Sequence, residues 1–320
     1  MSAPLDLDAD LAKVLKLLPP IEIETTTPKS FRELLRGLAA AGGAYPLPQV
    51  QSTEDVIVQG AADLLKARVY KPTTEVSPTV VFFHGGGCVG GDIETHDRSS
   101  RRLAIETGSV VIAVDYRLAP ETRFPGAFDD ALAAVRDIAT RIDEFGRNAQ
   151  RIGLAGDSAG GGLAAATALA CRDRKLAVAA QLLIYPATDV AGLYANEQEN
   201  SRFPSRTENA DGYFTTLSLT RWCANHYLAD EESSFDWRAS PLRAESLIGV
   251  APAVVCTAQF DPLRDEGEAY ADALSAAGVA TCRHHGQGMI HGYFGMGDAS
   301  PAARAEAARV RADFKSLLNR

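Results

Sequence analysis

The pattern of apolar and polar residues changes along the chain, and this change predicts two kinds of structure. Near the start, apolar positions recur at helical spacing over residues 7–18 and 30–41. Pro28 and Ser30 are start signals for the second of these stretches, and Gly42-Gly43 ends it. From about residue 55 onward, short apolar runs alternate with amphipathic stretches of helical length. The chain is therefore predicted to begin with two short helices and to continue as alternating strands and helices.

The alternating part predicts the fold class. The apolar runs predict strands over residues 64–70, 79–83, 109–114, 151–155, 180–185, 252–258 and 279–285. The amphipathic stretches predict helices over residues 97–107, 127–144, 159–173, 265–277 and 301–318. Alternation of this kind gives a mostly parallel sheet that is covered by helices on both faces, which is the α/β class.

One segment, from residue 190 to 238, breaks this alternation because polar residues mix there with aromatic ones. An insertion between two strands has to run over the C-terminal edge of the sheet, where open α/β sheets bind ligands. We interpret the segment as a cap that presents some aromatic side chains inward and packs others into a small core. The predicted division is N-terminal cap helices at residues 1–50, an α/β domain at 51–189 and 239–320, and a cap insertion at 190–238.

Composition and charge exclude several classes of protein. The 320 residues are 46% hydrophobic and 23% charged, as in soluble globular proteins, and no apolar run is long enough to cross a membrane. No secretory signal is recognisable at the start, so a cytoplasmic location is expected. The net charge of −9 argues against nucleic acid as a partner. Five cysteines, an odd number without a C-x-x-C spacing, favour free thiols over disulfides or a zinc site, so no metal is expected.

The sequence Gly156-Asp157-Ser158-Ala159-Gly160 follows one apolar run and opens a predicted helix. In this strand-turn-helix context, a G-x-S-x-G motif places its serine on a sharp turn with the hydroxyl exposed. The helix that begins near Ala159 directs its first amides toward negative charge that develops on a substrate. A tight turn in which the serine only caps the helix could have the same sequence, but the surrounding motifs favour Ser158 as a nucleophile.

A serine nucleophile needs a histidine base and a carboxylate that orients the base. Among the six histidines, His291 follows Gly286-Gln287-Gly288 and is predicted to lie on a loop beyond the last strand. Gly288 and Gly292 lie close to it on both sides, as a base that must approach a substrate requires. His291 is therefore the predicted base.

The carboxylate is assigned by its position after a strand. Asp261 directly follows the predicted strand that ends near Phe260, so it can reach the loop that carries His291. Asp189 is the second choice, and Asp265, which begins a helix and can cap it, is the third. With Asp261, the chain order serine, aspartate, histidine is the order of the α/β-hydrolase sheet.

The sequence His84-Gly85-Gly86-Gly87 also follows an apolar run, Thr79 to Phe83. A glycine run allows backbone amides to turn toward a substrate oxygen, so Gly86, Gly87 and the amide of Ala159 are the predicted oxyanion hole. His84 is expected to fix this loop by hydrogen bonds. The run lacks the lysine and hydroxyl of a phosphate-binding loop, and we reject that interpretation.

Taken together, these residues resemble the hormone-sensitive lipase family of α/β-hydrolases, which includes many bacterial carboxylesterases. Further blocks that resemble the family are D-Y-R-L-A-P-E at 115–121, F-P-G-A at 124–127, D-P-L-R-D-E-G at 261–267 and M-I-H-G at 289–292. The resemblance implies a largely parallel eight-stranded sheet, with a cap made from the N-terminal helices and the insertion after the sixth strand. It also implies a homodimer through the edge strand near residues 279–285 and the last helix.

The resemblance implies a cofactor-free serine carboxylesterase that acts on small-molecule esters with short to medium acyl chains. One departure is Cys88, which stands where the family has a bulky aromatic residue, and which either enlarges the pocket or is a buried, inert thiol. Aromatic residues of the cap, Phe203, Phe214 and Trp222, are predicted to contact the substrate.

Two other functions are compatible with parts of this pattern. An amidase or lactonase would use the same triad, and the sequence does not separate these from an esterase. The family also resembles plant gibberellin receptors, which bind a small acid and lack the catalytic histidine. His291 in its Met-Ile-His-Gly setting argues against a receptor.

Overall fold

The computed structural model describes residues 6–19, 21–42, 45–73, 78–145, 152–194 and 196–320. Two helices precede the sheet, α1 at Ala9–Leu17 and α2 at Pro28–Ala41. The side chain of Asp8 caps α1, and Thr27 and Ser30 form a capping box at the start of α2. Both N-terminal helices predicted from the sequence are confirmed, while Gly43, the second residue of the predicted stop signal, lies outside the described residues.

The strands are β1 Ser52–Gln59, β2 Leu64–Lys71, β3 Thr79–Phe83, β4 Val110–Val114, β5 Ile152–Asp157, β6 Ala180–Ile184, β7 Ala253–Phe260 and β8 Thr281–Ile290. They form one eight-stranded sheet in the order β1-β2-β4-β3-β5-β6-β7-β8. The pairs that involve β2 are antiparallel, and all the others are parallel. The predicted mostly parallel sheet is confirmed, and its carboxyl edge carries the ends of β3, β5, β7 and β8.

The helices that follow along the chain are α3 Asp97–Thr107, α4 Gly126–Thr140, α5 Ile142–Phe145, α6 Ala159–Asp173, α7 Glu197–Asn200, α8 Ser205–Glu208, α9 Leu217–Tyr227, α10 Glu232–Phe235, α11 Arg264–Ala276 and α12 Pro301–Leu318. They cover both faces of the sheet. In β3, Val80 and Phe82 belong to the core beneath α3 and α12, whereas Val81 and Phe83 belong to the core beneath α4, α6 and α11. Burial on both faces explains why this strand is an unbroken apolar run.

Several boundaries differ from those predicted. β1 was not predicted because its residues are mostly polar and exposed, as an edge strand with solvent access allows. The predicted helix 127–144 ends instead at Thr140, and the chain turns at Arg141 before the short α5. β8 continues to Ile290, so the Gly286–Gly288 stretch belongs to the strand and not to a loop. Residue 151, the first of one predicted strand, lies outside the described residues.

The segment between β6 and β7 contains the short helices α7 to α10 and no strand among its described residues. It lies at the carboxyl edge of the sheet, as an insertion at this point must. Within the described ranges, no helix combines the length and the apolar character that crossing a membrane requires.

Candidate active site

Ser158 lies at the turn between β5 and α6, at the carboxyl end of a central strand. Its backbone has φ 57° and ψ −124°, a conformation that residues other than glycine rarely adopt. A Cβ on Gly156 would overlap the carbonyl oxygen of Gly160, and a Cβ on Gly160 would overlap that of Phe83. Glycine at both positions therefore permits the sharp turn that exposes the Ser158 side chain. Ser158 lines a cavity of about 330 Å³.

His291 lines the same cavity and comes directly after β8. Its Nδ1 lies 2.7 Å from Oδ2 of Asp261, a buried residue that comes directly after β7. The other carboxylate oxygen of Asp261 accepts the amide of Leu263 at 2.9 Å. Because Nδ1 donates its proton to the carboxylate, Nε2 is the ring nitrogen that can accept a proton.

The pKa of His291 results from opposing effects. Burial lowers it, because the charged imidazolium loses solvation. The negative charge of Asp261 and its hydrogen bond to the ring act in the opposite direction, with smaller contributions from Asp157 and Glu266. The net result is a pKa above the ordinary value of 6.5.

The two other carboxylates considered from the sequence have different partners. Asp189 is buried, and its carboxylate lies 3.0 Å from Arg243 Nη2 and 3.2 Å from Arg202 Nη1. Asp265 accepts the amide of Ser205 at 2.7 Å and pairs with Arg264. Both therefore hold the segment between β6 and β7 in place, and Asp261 is the carboxylate that contacts His291.

The glycine-rich loop after β3 has an unusual backbone. Gly86 and Gly87 have φ values of +114° and +65°, and the following Cys88 also has a positive φ of 58°. The amide of Gly85 donates to Asp157 Oδ1 at 2.9 Å, which ties the loop to the strand that precedes Ser158. Gly86 and Gly87 line the cavity beside Ser158, and so does Ala159.

His84 lies beneath this loop and is buried. Its Nδ1 lies 2.8 Å from the carbonyl oxygen of Gly85, and its ring stacks on Tyr116 at a centroid distance of 4.3 Å. The hydroxyl of Tyr116 donates to the His84 carbonyl at 2.6 Å. Burial lowers the pKa of His84 to about 4, so the ring is neutral near neutral pH.

Asp157 and His96 form a second histidine–carboxylate pair next to Ser158, which the sequence motifs did not identify. His96 Nε2 lies 3.3 Å from Asp157 Oδ1, and its Nδ1 lies 2.9 Å from Thr95 Oγ1. Burial opposes charge on both groups, but their mutual attraction outweighs it, so the pKa of His96 is raised and that of Asp157 is lowered. The one feature of the sequence that could have drawn attention to this pair is the position of Asp157 directly before Ser158.

The cavity wall is largely apolar and comes from several parts of the chain. Phe31 and Leu35 of α2 line it from one side, and Phe214 and Leu219 line it from the segment between β6 and β7. Cys88 also lines it and is buried, and burial raises the pKa of its thiol to about 12. Cys88 is therefore a thiol of low reactivity within the pocket.

Two of the predicted substrate contacts lie elsewhere. Phe203 is buried with its ring 4.7 Å from the Arg206 guanidinium, and Trp222 packs edge-on against Phe31 at 5.4 Å. Neither is among the residues that line the cavity. Trp222 thus packs against a residue of the cavity wall, and the structure does not place Phe203 or Trp222 where the predicted substrate contact requires them.

Comparison with known proteins agrees with this geometry. A family model described as the alpha/beta hydrolase fold matches residues 80–295. The esterase LipI of Mycobacterium tuberculosis is 36% identical over 323 residues, which cover 98% of this chain and 96% of the relative. The carboxylic ester hydrolase LipN of the same organism is 38% identical over 281 residues, which cover 82% of this chain and 71% of the relative.

A solved structure of an esterase is also similar to this chain over nearly its whole length. The hyperthermophilic esterase of the archaeon Pyrobaculum calidifontis matches with a TM-score of 0.89 at 36% identity, covering 98% of this chain and 99% of the other. Similarity of this extent covers nearly the entire length of both chains. The chain therefore belongs to the hormone-sensitive-lipase-like carboxylesterases of the α/β-hydrolase fold.

Proposed function

We propose that this enzyme hydrolyses short- to medium-chain carboxylic esters of small molecules through Ser158, His291 and Asp261. The observation that carries the proposal is the buried 2.7 Å hydrogen bond between His291 Nδ1 and Asp261 Oδ2. His291 lines the same cavity as Ser158, and Ser158 lies on a backbone turn suited to a nucleophile. A serine, a base and an orienting carboxylate are the groups that acyl transfer requires.

In the first half of the proposed reaction, Ser158 Oγ attacks the acyl carbon and its proton passes to His291 Nε2. Negative charge develops on the carbonyl oxygen, which accepts hydrogen bonds from the amides of Gly86, Gly87 and Ala159. The bond to the alcohol oxygen then breaks, and His291 returns the proton to the leaving alcohol. The acyl group remains on Ser158 as an ester.

In the second half, a water molecule takes the place of the alcohol. His291 accepts a proton from the water as the hydroxyl attacks the acyl carbon, and it then protonates Ser158 Oγ as the acid leaves. Asp261 holds the ring orientation and stabilises the imidazolium in both halves. The carboxylate of Asp157 supports the oxyanion loop through the amide of Gly85.

The cap is proposed to consist of residues 1–50 and 190–238, and the catalytic domain of residues 51–189 and 239–320. The contribution of both α2 and the segment between β6 and β7 to the cavity wall supports this division. A cavity of about 330 Å³ suits a small ester, so we expect acyl chains of about two to eight carbons to be preferred. A panel of p-nitrophenyl esters from acetate to palmitate tests this range. The homodimer and the cytoplasmic location stay predictions.

The raised pKa of His291 predicts the pH dependence of hydrolysis. The imidazole must be neutral to accept the Ser158 proton, so kcat/KM should fall as the pH drops through the pKa of His291 in the free enzyme. Since that pKa lies above 6.5, the midpoint of this acidic limb is expected above pH 6.5 and in a single step. A pH profile of kcat/KM with p-nitrophenyl butyrate measures it.

The Asp261→Asn variant is the control for this assignment, because it removes the charge that raises the pKa. The acidic limb of its residual activity should move to lower pH. A wild-type midpoint below 6.5, or a limb that Asp261→Asn leaves in place, would contradict His291 as the titrating base. Activity that depends on added divalent metal would also contradict the proposed mechanism.

Phe214 is the aromatic residue expected to limit acyl length. Its ring faces Gly292, next to His291, and it lines the cavity. Phe214→Ala should raise kcat/KM for octanoate relative to butyrate by about tenfold, because the space left by the ring would bury about two more methylenes at about 0.8 kcal/mol each. The rate on acetate should change less. Kinetics on the same p-nitrophenyl panel give both values.

Tyr213→Ala is a matched control, because the neighbouring aromatic ring stacks on Phe260 and does not line the cavity. It should leave the chain-length profile unchanged. An unchanged profile in Phe214→Ala would contradict Phe214 as the residue that limits acyl length. Hydrolysis of triolein faster than of soluble butyrate would contradict the expected preference for short acyl chains.

A further inference from the structure

Away from the active site, β8 and α12 bring together three side chains of types that bind metal ions. Cys282 Sγ lies 3.1 Å from Asp313 Oδ2, and His284 Nε2 lies 2.8 Å from the same oxygen. The sulfur and the imidazole nitrogen are 3.7 Å apart. One ligand atom from each residue thus lies within 4.8 Å of the other two.

Strand geometry explains this convergence. Cys282 and His284 are two positions apart on β8, so their side chains lie on the same face, beneath α12. The alternate residues Arg283 and His285 point to the other face, where they bond to residues of α11. Asp313 on α12 completes the cluster on the first face.

We propose that Cys282, His284 and Asp313 bind a divalent cation of borderline softness, Zn²⁺ by preference. Thiolate, imidazole and carboxylate are the ligand types of protein zinc sites, whereas Mg²⁺ and Ca²⁺ prefer oxygen ligands alone. Ligands about 2.0 to 2.3 Å from a tetrahedral ion lie roughly 3.3 to 3.6 Å apart, so small side-chain movements would accommodate the ion. Three protein ligands leave a fourth position for water.

Glu306 provides an independent observation in favour of the site. Its Oε1 lies 3.6 Å from His284 Nδ1, on the side of the ring opposite to Asp313, and its side chain is only 8% exposed. Histidines that bind metals generally donate their other ring N–H to a carboxylate, which fixes the tautomer and orients the ring. Glu306 stands where that acceptor is needed, about two turns before Asp313 on the same face of α12.

Proton balance is consistent with metal binding. The Cys282 thiol loses its proton to solvent when the sulfur binds the ion, and His284 binds through Nε2 with its proton on Nδ1, facing Glu306. Burial, together with Asp313, raises the pKa of Cys282 to about 11 in the metal-free protein. A bound cation reverses this effect because it stabilises the thiolate directly.

The site would join the edge strand β8 to α12. His291 follows the far end of the same strand, so the ion stands apart from the reacting atoms and takes no part in ester hydrolysis. We therefore expect it to stabilise the fold, and the inference does not depend on the proposed function. Cys282→Ser should leave kcat on p-nitrophenyl butyrate unchanged.

The test is titration of the tag-free, metal-free full chain with Co²⁺ and then with Zn²⁺. Co²⁺ should produce thiolate-to-cobalt charge-transfer absorption that saturates at one ion per chain, and Zn²⁺ should displace it. In Cys282→Ser the absorption should vanish and the Zn²⁺ Kd should rise by at least about a hundredfold. Glu306→Gln should weaken Zn²⁺ binding by about ten- to a hundredfold.

His285→Asn is the matched control, because this neighbouring histidine lies on the opposite face of β8 and pairs with Glu268 at 3.2 Å. It should bind Zn²⁺ as the wild type does. Zn²⁺ at about a hundred times its Kd should raise the Tm of wild type and of His285→Asn by several degrees, but not that of Cys282→Ser. Absence of the charge-transfer band, or Zn²⁺ affinity that Cys282→Ser leaves unchanged, would overturn the proposal.

Discussion

Ser158→Ala is expected to lower kcat on p-nitrophenyl butyrate by about six orders of magnitude while the protein stays folded, as in other serine hydrolases. The variant lacks the atom that forms the acyl-enzyme, and no other group in the proposed mechanism replaces it. Steady-state kinetics and circular dichroism measure the two parts of this expectation.

Ser99→Ala is the matched control, because Ser99 lines the same cavity from α3 and has no role in the proposed mechanism. It should retain nearly full activity. If Ser158→Ala kept more than about a hundredth of wild-type kcat, the nucleophile would have to be another residue.

The second large effect concerns the base and its carboxylate. His291→Ala should cost nearly as much as Ser158→Ala, because the serine then has no proton acceptor. Asp261→Asn should cost about ten-thousand-fold, since the ring loses its orientation and the stabilising charge. The double variant Ser158→Ala, His291→Ala should be no slower than either single variant, because the two residues act as a unit. Rates with p-nitrophenyl butyrate give all these values.

The Asp189→Asn variant tests whether Asp189 has a structural role, in contrast to the catalytic role proposed for Asp261. Asp189 pairs with Arg202 and Arg243, so its replacement should lower the Tm while the folded protein keeps kcat within about tenfold of wild type. A greater loss of kcat in Asp189→Asn than in Asp261→Asn would show that the acid is wrongly assigned.

Much of the fold could be predicted because buried parallel strands are distinctive in sequence. Strand β3 is an apolar run of five residues with both faces covered, and its bounds match the prediction. β1 is the opposite case, because its polar residues face solvent at the edge of the sheet and resemble a loop. Local sequence therefore identifies central strands better than edge strands.

The candidate site was predictable where a side chain directly follows a strand. Asp261 and His291 come immediately after β7 and β8, which are neighbours in the sheet, so their pairing follows from topology. Topology does not determine in the same way whether a side chain of the segment between β6 and β7 points into the cavity. Phe214 lines the cavity, whereas Phe203 and Trp222 are not among its lining residues, and nothing in the spacing of these aromatic residues distinguishes them.

Contacts between distant elements were the hardest to predict. Asp157 and His96 meet because the start of α3 lies beside the end of β5, which the sequence does not reveal. Cys282, His284 and Asp313 also meet only in the fold, because Asp313 lies on α12, far along the chain from the two residues of β8.

The most direct test of the central claim is covalent labelling with a fluorophosphonate probe, followed by mass spectrometry of the intact protein and of its peptides. The account predicts one adduct per chain, on Ser158, with loss of esterase activity in proportion to labelling. His291→Ala should react far more slowly, because the probe requires an activated serine. An active enzyme that carries no adduct on Ser158, or that is labelled and inhibited at another residue, would contradict the account.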